Sequence, residues 1–275
     1  MSPVLSTSSD MNREEVLKIL NNNNLLPESK FGQNFLCDDN IIGEIIACSG
    51  IKTGDKVLEI GPGIGALTRP LSEMDINLTV VEIDKRIVSY LSSLDLDAEI
   101  ISSDYLKLKD YGAGSFDIAI SNIPYYVTTP IIKKLIEDLS SCRRITFMVE
   151  DDALQRIMAK PKTKQYGPLA VIMNAFGSIR KEFTVPGNCF FPAPNTLSSV
   201  ITLERSGNNV IDPSFTDFVT LCFNQRRKKL LNNLSTYGKE TVLAAIEKNG
   251  LSADCRAEEL SFDLFLKLYN DIINS

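Results

Sequence analysis

Short apolar runs alternate along the chain with segments whose apolar positions recur every three or four residues. The runs "KVLEI" (56–60), "LTVVEI" (78–83), "AEIISSD" (98–104), "FDIAIS" (116–121), "RITFMVE" (144–150), "AFGSIRKEFTV" (175–185) and "SSVITLE" (198–204) read as strands. Helical spacing fits 65–73, 84–92, 129–139, 151–159 and 167–174, with a short earlier helix over 12–20. The stretch "DDNIIGEIIACSG" pairs apolar residues at 41/42 and 45/46, has Asp38 or Asp39 as its N-cap, and stops at Gly50. Repeated strand–helix units with apolar strands imply an α/β domain with a parallel sheet covered on both faces. "ERSGNNVIDP" (204–213) reads as a linker, and the pattern beyond it is all helical. There Phe215, Phe218, Val219 and Cys222 mark one face, and Ser261 caps a last helix reaching about Ile273.

Composition narrows the class. The 275 residues are 44% hydrophobic and 23% charged, enough for one large and one smaller domain with a sizeable core. No window approaches the length of uncharged apolar chain that spans a membrane. "MSPVLSTSSD" lacks the basic and apolar regions of a signal peptide and reads as a disordered tail, with Met11 a candidate alternative start. The 6 cysteines are scattered without a CxxC pair, which fits a reduced, cytoplasmic setting. The chain has 0 histidines, so no metal site is expected and imidazole-based catalysis is excluded.

The net charge of −6 argues against a nucleic-acid partner, but its distribution argues for one. Residues 141–181 hold eight basic side chains against three acids, and "NQRRKKLLNNLSTYGK" (224–239) holds five basic residues and no acid. The competing reading is two solvated basic faces.

Two motifs carry chemistry. "VLEIGPGIGALT" puts Gly61 and Gly63 in a turn between the first sheet strand and its helix, where a ligand reaches the backbone closely. Glu82 ends the next strand and offers a carboxylate to both hydroxyls of a ribose. This pattern serves NAD and S-adenosylmethionine equally. "SNIPYY" (121–126) separates them. A nucleobase amine is a poor nucleophile because its lone pair is delocalised into the ring. Methylating it requires acceptors that hold its N–H bonds and aim the lone pair. Asn122 and the carbonyl of Ile123 offer such acceptors, Pro124 removes a backbone donor, and Tyr125 can stack on the base.

With "KFGQNFL" (30–36), "EIGPGIGALT", "NIPY", "IMAKPKTKQYGPLAV", "FFPAPNTLSSV" and "FNQRRKKLLNNL", the chain from Lys30 onward closely resembles the small-subunit rRNA adenine N6-dimethyltransferases. The resemblance implies a Rossmann-like methyltransferase domain over 30–205, a helical RNA-binding domain over 206–275, and a tail with a short helix over 1–29. It implies S-adenosylmethionine as cofactor and dimethylation of two adjacent adenines near the 3′ end of small-subunit rRNA, with a precursor of the small subunit as partner and a monomer acting in the cytoplasm. Asn34, Leu36, Gly61, Gly63, Glu82, Asp104 and Asn122 match the family's cofactor positions. Asn122, Ile123, Pro124 and Tyr125 match its catalytic turn, and Phe190, beside Phe191, matches the aromatic packed on the target base. In the basic cluster, Arg226 and Lys229 stand at i and i+3 and are expected to share one helix face toward phosphates. The competing role for an arginine here is an ion pair with acids of the Rossmann domain.

The chain departs from the family's pattern at Glu150, Asp151 and Asp152, where relatives commonly carry a glutamine–lysine pair. It departs again at Asn195 and Thr196, where lysine and valine are usual. Competing readings are a macrolide-resistance-type adenine methylase of large-subunit rRNA, a non-catalytic assembly or transcription factor on the same fold, and a nicotinamide oxidoreductase.

Overall fold

A computed structural model of the protein describes residues 11–28, 32–109, 111–123, 127–206 and 212–273. Helix α1 (Arg13–Asn22) starts beneath Asn12, whose side-chain oxygen accepts from the amides of Glu14 and Glu15. Strand β1 (Phe35–Leu36) is two residues long. Helix α2 (Asp39–Ser49) has Asp38 as its cap and ends at Gly50, whose φ of 66° gives it a left-handed stop. Strand–helix alternation follows: β2 (Lys56–Ile60), α3 (Thr68–Ser72), β3 (Asn77–Glu82), α4 (Lys85–Ser92), β4 (Glu99–Ser102), β5 (Ile118–Asn122), α5 (Thr128–Asp138), β6 (Arg144–Glu150), α6 (Asp151–Ile157) and α7 (Pro168–Phe176). Strands β7 (Gly177–Val185), β8 (Phe190–Phe191) and β9 (Ser198–Arg205) precede α8 (Pro213–Cys222), α9 (Leu230–Asn233), α10 (Lys239–Lys248) and α11 (Phe262–Ile273).

Each predicted strand is present, and so are the predicted helices apart from the one expected through the basic cluster, with boundaries shifted by local chemistry. Strand β4 stops at Ser102 because Asp104 caps a short 3-10 turn, Tyr105–Lys107, by accepting from the amide of Leu106. Helix α7 runs through Phe176, so β7 begins at Gly177 rather than at residue 175. The predicted linker overlaps residues 207–211, and the predicted tail residues 1–10; both stretches lie outside the described residues.

The chain divides into two compact units. The first takes in the chain up to Ile131 together with Ser141–Asp151 and Arg180–Thr202. Its seven-stranded sheet has the order β4-β3-β2-β5-β6-β9-β7, and β2 pairs in parallel with both β3 and β5. Parallel pairing extends from β3 to β4 and from β5 to β6. Because β3 and β5 flank β2, the strand order reverses between β2 and β5. A crevice opens at such a reversal beyond the carboxyl ends of the strands. Val57, Leu58, Val80, Ile118 and Ile120 are fully buried, as nearly continuous apolar strands require. A separate two-stranded ribbon pairs β1 with β8, Leu36 opposite Phe190, and the amide of Cys37 donates to the carbonyl of Cys189 at 2.8 Å.

The second unit comprises Ile132–Ser140, Asp152–Ile179 and Leu203–Ser275. Here α8 packs against α7, α9 and α11, and α10 against α9 and α11. The predicted face of α8 is buried, with Phe215 and Phe218 edge-on to Tyr269 at 5.3 and 5.4 Å between ring centroids. Asp212 accepts from the amide of Ser214 at 2.9 Å and from the Tyr269 hydroxyl at 2.8 Å, capping α8. Ser261 accepts from the amide of Leu264 at the start of α11, as its place in the sequence predicts.

Candidate active site

A cavity of about 230 Å³ lies at the carboxyl ends of β2, β3 and β5 in the first unit. The glycine turn after β2 forms its floor. Gly61, Gly63 and Gly65 have φ of 69°, 55° and 88°, in the left-handed region that favours glycine. A Cβ on Gly63 would stand 3.1 Å from the Phe35 ring, so this glycine also makes room for β1. The Ser121 hydroxyl donates to the carbonyl of Ile60 at 2.7 Å and ties β5 to β2 at the strand-order reversal.

The predicted cofactor residues converge here. Asn34, Leu36, Gly61, Gly63, Glu82, Asp104 and Asn122 all line the cavity, and so does Ile123. Glu82 is buried, accepts from the amide of Asp84 at 2.8 Å, and has its pKa pushed up by burial to about 7. Asp104 spends one oxygen on the amide of Leu106. The side-chain nitrogen of Asn122 donates to the carbonyl of Asn34 at 3.5 Å, which turns the side-chain oxygen away from that contact. Pro124 and Tyr125 lie outside the described residues.

Phe190 does not join them. Strand β8 turns it into the core with no exposed surface, opposite Leu36. Phe191 keeps a partly exposed ring, with the Arg13 guanidinium 5.1 Å from its centroid.

Two contributors escaped the sequence analysis. Glu59 lines the cavity at 1% exposure, and its Oε2 has no hydrogen-bond partner. Burial pushes its pKa to about 8, with the neighbouring Thr68 hydroxyl pulling down and Glu82 pushing up. A carboxylate inside the apolar run "KVLEI", just before the glycine turn, was the available signal. Gln33 also lines the cavity and donates to Asp84 at 3.0 Å. Arg86 bridges Asp84 and Glu28 at 2.6 and 2.7 Å. Burial alone would raise the Asp84 pKa, but hydrogen bonds from Arg86 and Gln33 hold it below the usual range.

The basic cluster departs from expectation. Residues 223–229 form turns rather than a helix. The Asn233 amide donates to the carbonyls of Cys222 and Gln225, and the amide of Leu230 donates to Cys255, which together keep α8 from continuing into α9. Arg226 pairs with Glu258 of its own unit at 2.6 Å, and Lys229 pairs with Asp254. The Lys229 pair is exposed on both sides and worth at most about 1 kcal/mol, so that lysine can still exchange its partner for a phosphate.

A glycine turn at a strand-order reversal, a buried carboxyl ending β3 and an Asn-Ile pair ending β5 define a Rossmann-like methyltransferase that uses S-adenosylmethionine. The orphaned Oε2 of Glu59 and the left-handed glycine turn lining the cavity fit a polar, nucleoside-bearing cofactor there. Residues 24–274 match the family model "Ribosomal RNA adenine dimethylase", and the chain belongs to that family. It is 36% identical over 264 residues to ribosomal RNA small subunit methyltransferase A of Malacoplasma penetrans, covering 93% of this chain and 95% of that one. The protein of the same name from Chlorobium luteolum is 38% identical over 246 residues, 88% of each chain. Among solved structures, a dimethyladenosine transferase from Plasmodium falciparum shares the fold with a TM-score of 0.73 and 24% identity, covering 86% of this chain and 98% of that one. The 23S rRNA methyltransferase ErmE shares it with a TM-score of 0.60 and 23% identity, over 87% and 100%.

Proposed function

We propose that this enzyme dimethylates the N6 amines of two adjacent adenines near the 3′ end of small-subunit rRNA, acting as a cytoplasmic monomer on a precursor of the small subunit. We assign 30–205 to the catalytic domain and 206–275 to RNA binding. The observation that carries the reading is the meeting of Glu82, Asp104, Asn34 and Asn122 at one cavity. Small-subunit rRNA is favoured over large-subunit rRNA by the names of the full-length relatives above 30% identity.

Glu82 would accept from the ribose hydroxyls of the cofactor and Asp104 from its adenine amine, both carboxyls lining the cavity. Asn34, Leu36 and the glycine turn hold the remainder. S-adenosylmethionine, when bound, supplies a methyl group already activated on a sulfonium. Asn122 and the carbonyl of Ile123 receive the two N–H bonds of the target amine and aim its lone pair. Since the Asn122 nitrogen is engaged by Asn34, its oxygen is the atom offered to the amine. The proton released after transfer leaves to water, consistent with a chain that has 0 histidines.

Asn122→Ala should lower the single-turnover transfer rate by about 10²-fold or more, as loss of a positioned polar group at a reacting centre does. Cofactor affinity by calorimetry should stay within roughly tenfold, since the side chain acts mainly on the amine. Transfer near the wild-type rate would remove Asn122 from the catalytic role.

A further inference from the structure

The second unit holds a loop whose construction the cofactor chemistry does not require. Residues 160–165, "KPKTKQ", form a run of turns between α6 and α7. Lys160, Lys162 and Lys164 are exposed and make no ion pair among the described residues. Loops with three exposed lysines are ordinarily loose, because each cation gains more from water than from the protein. This one is fastened at several points. The Lys162 amide donates to the carbonyl of Glu258 at 2.7 Å, and the Tyr166 hydroxyl donates to the carbonyl of Leu260 at 2.8 Å. Arg226 donates through Nη2 to the carbonyl of Thr163 at 2.9 Å, through Nη1 to that of Lys164, and through Nε to Glu258. Lys162 itself has φ of 69°, a conformation a side-chain-bearing residue keeps only when its surroundings impose it.

We infer that the 160–165 loop is an RNA-backbone docking surface carried by Lys162 and Lys164, and that Arg226 is the positioning residue that holds it in shape. The inference rests on the RNA-modifying function proposed above and names a surface for it. Arg226 has one N–H of each guanidinium nitrogen engaged within the protein, three of its five donors, which commits it first to holding the loop. The ammonium groups of Lys162 and Lys164 are bare instead, and Arg227 and Lys228 beside Arg226 are equally exposed and unpaired among the described residues. Glu258, the acid that would otherwise face this cluster, is neutralised by Arg226. A fixed array of unpaired cations at loop spacing suits a polyanion with a regular repeat of charge, whose condensed counterions it displaces. An acidic protein partner is the competing occupant, and RNA is preferred because the family's substrate is ribosomal RNA.

The test measures binding of the full-length protein to small ribosomal subunits lacking the adenine methyl groups, across about 50–200 mM salt, where phosphate contacts show as a slope of log affinity. Lys162→Gln/Lys164→Gln should flatten that slope by about 1.4–1.8, two contacts' worth. Its melting temperature and its affinity for S-adenosylmethionine should not change. Arg226→Ala should flatten the slope by a similar amount, and the combined triple variant should flatten it no further, because both changes remove one surface. Arg226→Lys should fail to restore the slope, since an ammonium cannot reach two carbonyls and a carboxylate in the arginine's planar geometry. An unchanged slope in Lys162→Gln/Lys164→Gln overturns the surface even if Arg226→Ala does not fold. Further flattening of about 0.7–0.9 in the triple variant overturns the positioning role and makes Arg226 a phosphate contact itself. A wild-type protein that shows no affinity for small subunits overturns the proposed function beneath the inference.

Discussion

Glu82 and Glu59 are two buried carboxyls in one cavity, and their environments separate their roles. Burial raises Glu82 to about 7, while hydrogen bonding to ribose hydroxyls favours its ionised form. S-adenosylmethionine should therefore bind more weakly as pH falls from 8 to 6, by about tenfold per unit once the carboxyl is mostly protonated. Calorimetry on the wild type and Glu82→Gln isolates this effect, because the variant cannot titrate there and its profile should be flatter. Glu82→Ala should weaken binding by about 1–3 kcal/mol, the range for a lost charge-assisted hydrogen bond. Glu59 adds a stability effect of determined sign. Its folded pKa of about 8 lies above the ordinary 4.5, so the folded state binds the extra proton between those values. The stability it contributes is complete below about pH 4.5 and is lost as pH rises through about 8. In cofactor-free protein, the fall in melting temperature from pH 6 to 8.5 should be smaller for Glu59→Gln than for wild type. Equal falls would show that Glu59 does not carry this proton.

At the scale of elements, the turn from α7 into β7 and the β1–β8 ribbon give the sharpest expectations. A Cβ at Gly177 would lie 1.9 Å from the carbonyl oxygen of Glu204, backbone that cannot rotate away. Gly177→Ala should thus destabilise by more than the roughly 1 kcal/mol of an ordinary glycine replacement, measured by chemical denaturation. Phe190→Ala should cost about 3–5 kcal/mol, the range for a fully buried aromatic, whereas Phe191→Ala should spare stability. These positions also mark where the sequence was readable. Strands of the parallel sheet were legible because each is a mostly apolar run between turn signals, and Asp38, Gly50 and Ser261 punctuate helices by local chemistry alone. Two-residue strands have no periodicity, and β1 and β8 exist only because residues far apart in the chain pair. The cofactor set was legible through its motifs, yet Glu59 was hidden by standing in a strand where an acid reads as an interruption. The shape of 223–229 was not legible, because it depends on the Asn233 amide and on Cys255.

The whole molecule carries −6 net charge and still presents exposed cations on its 160–165 loop. Several basic residues counted along 141–181 are committed to the fold: Arg143 to Asp55 at 2.6 Å, Arg144 to the carbonyl of Cys48, and Arg180 to Glu182. Those that remain exposed and make no ion pair among the described residues are the lysines of the 160–165 loop and Lys181. Glu150 and Thr196, both read from the sequence as departures from the resembled family's pattern, meet: the Thr196 hydroxyl donates to Glu150 at 2.8 Å. Glu150→Gln should accordingly leave stability within about 0.5 kcal/mol, since an amide oxygen accepts the same hydroxyl. The cavity and its Asn-Ile turn are proposed to methylate adenines of small-subunit rRNA. Incubating the protein with labelled S-adenosylmethionine and undermethylated small subunits, then mapping the label by nuclease digestion and mass spectrometry, tests this most directly. Label should appear on two adjacent adenines near the 3′ end, converted to N6,N6-dimethyladenosine by wild type and not by Asn122→Ala. Label confined to large-subunit rRNA in a parallel incubation, or no transfer to either subunit by a protein that binds the cofactor, would contradict it.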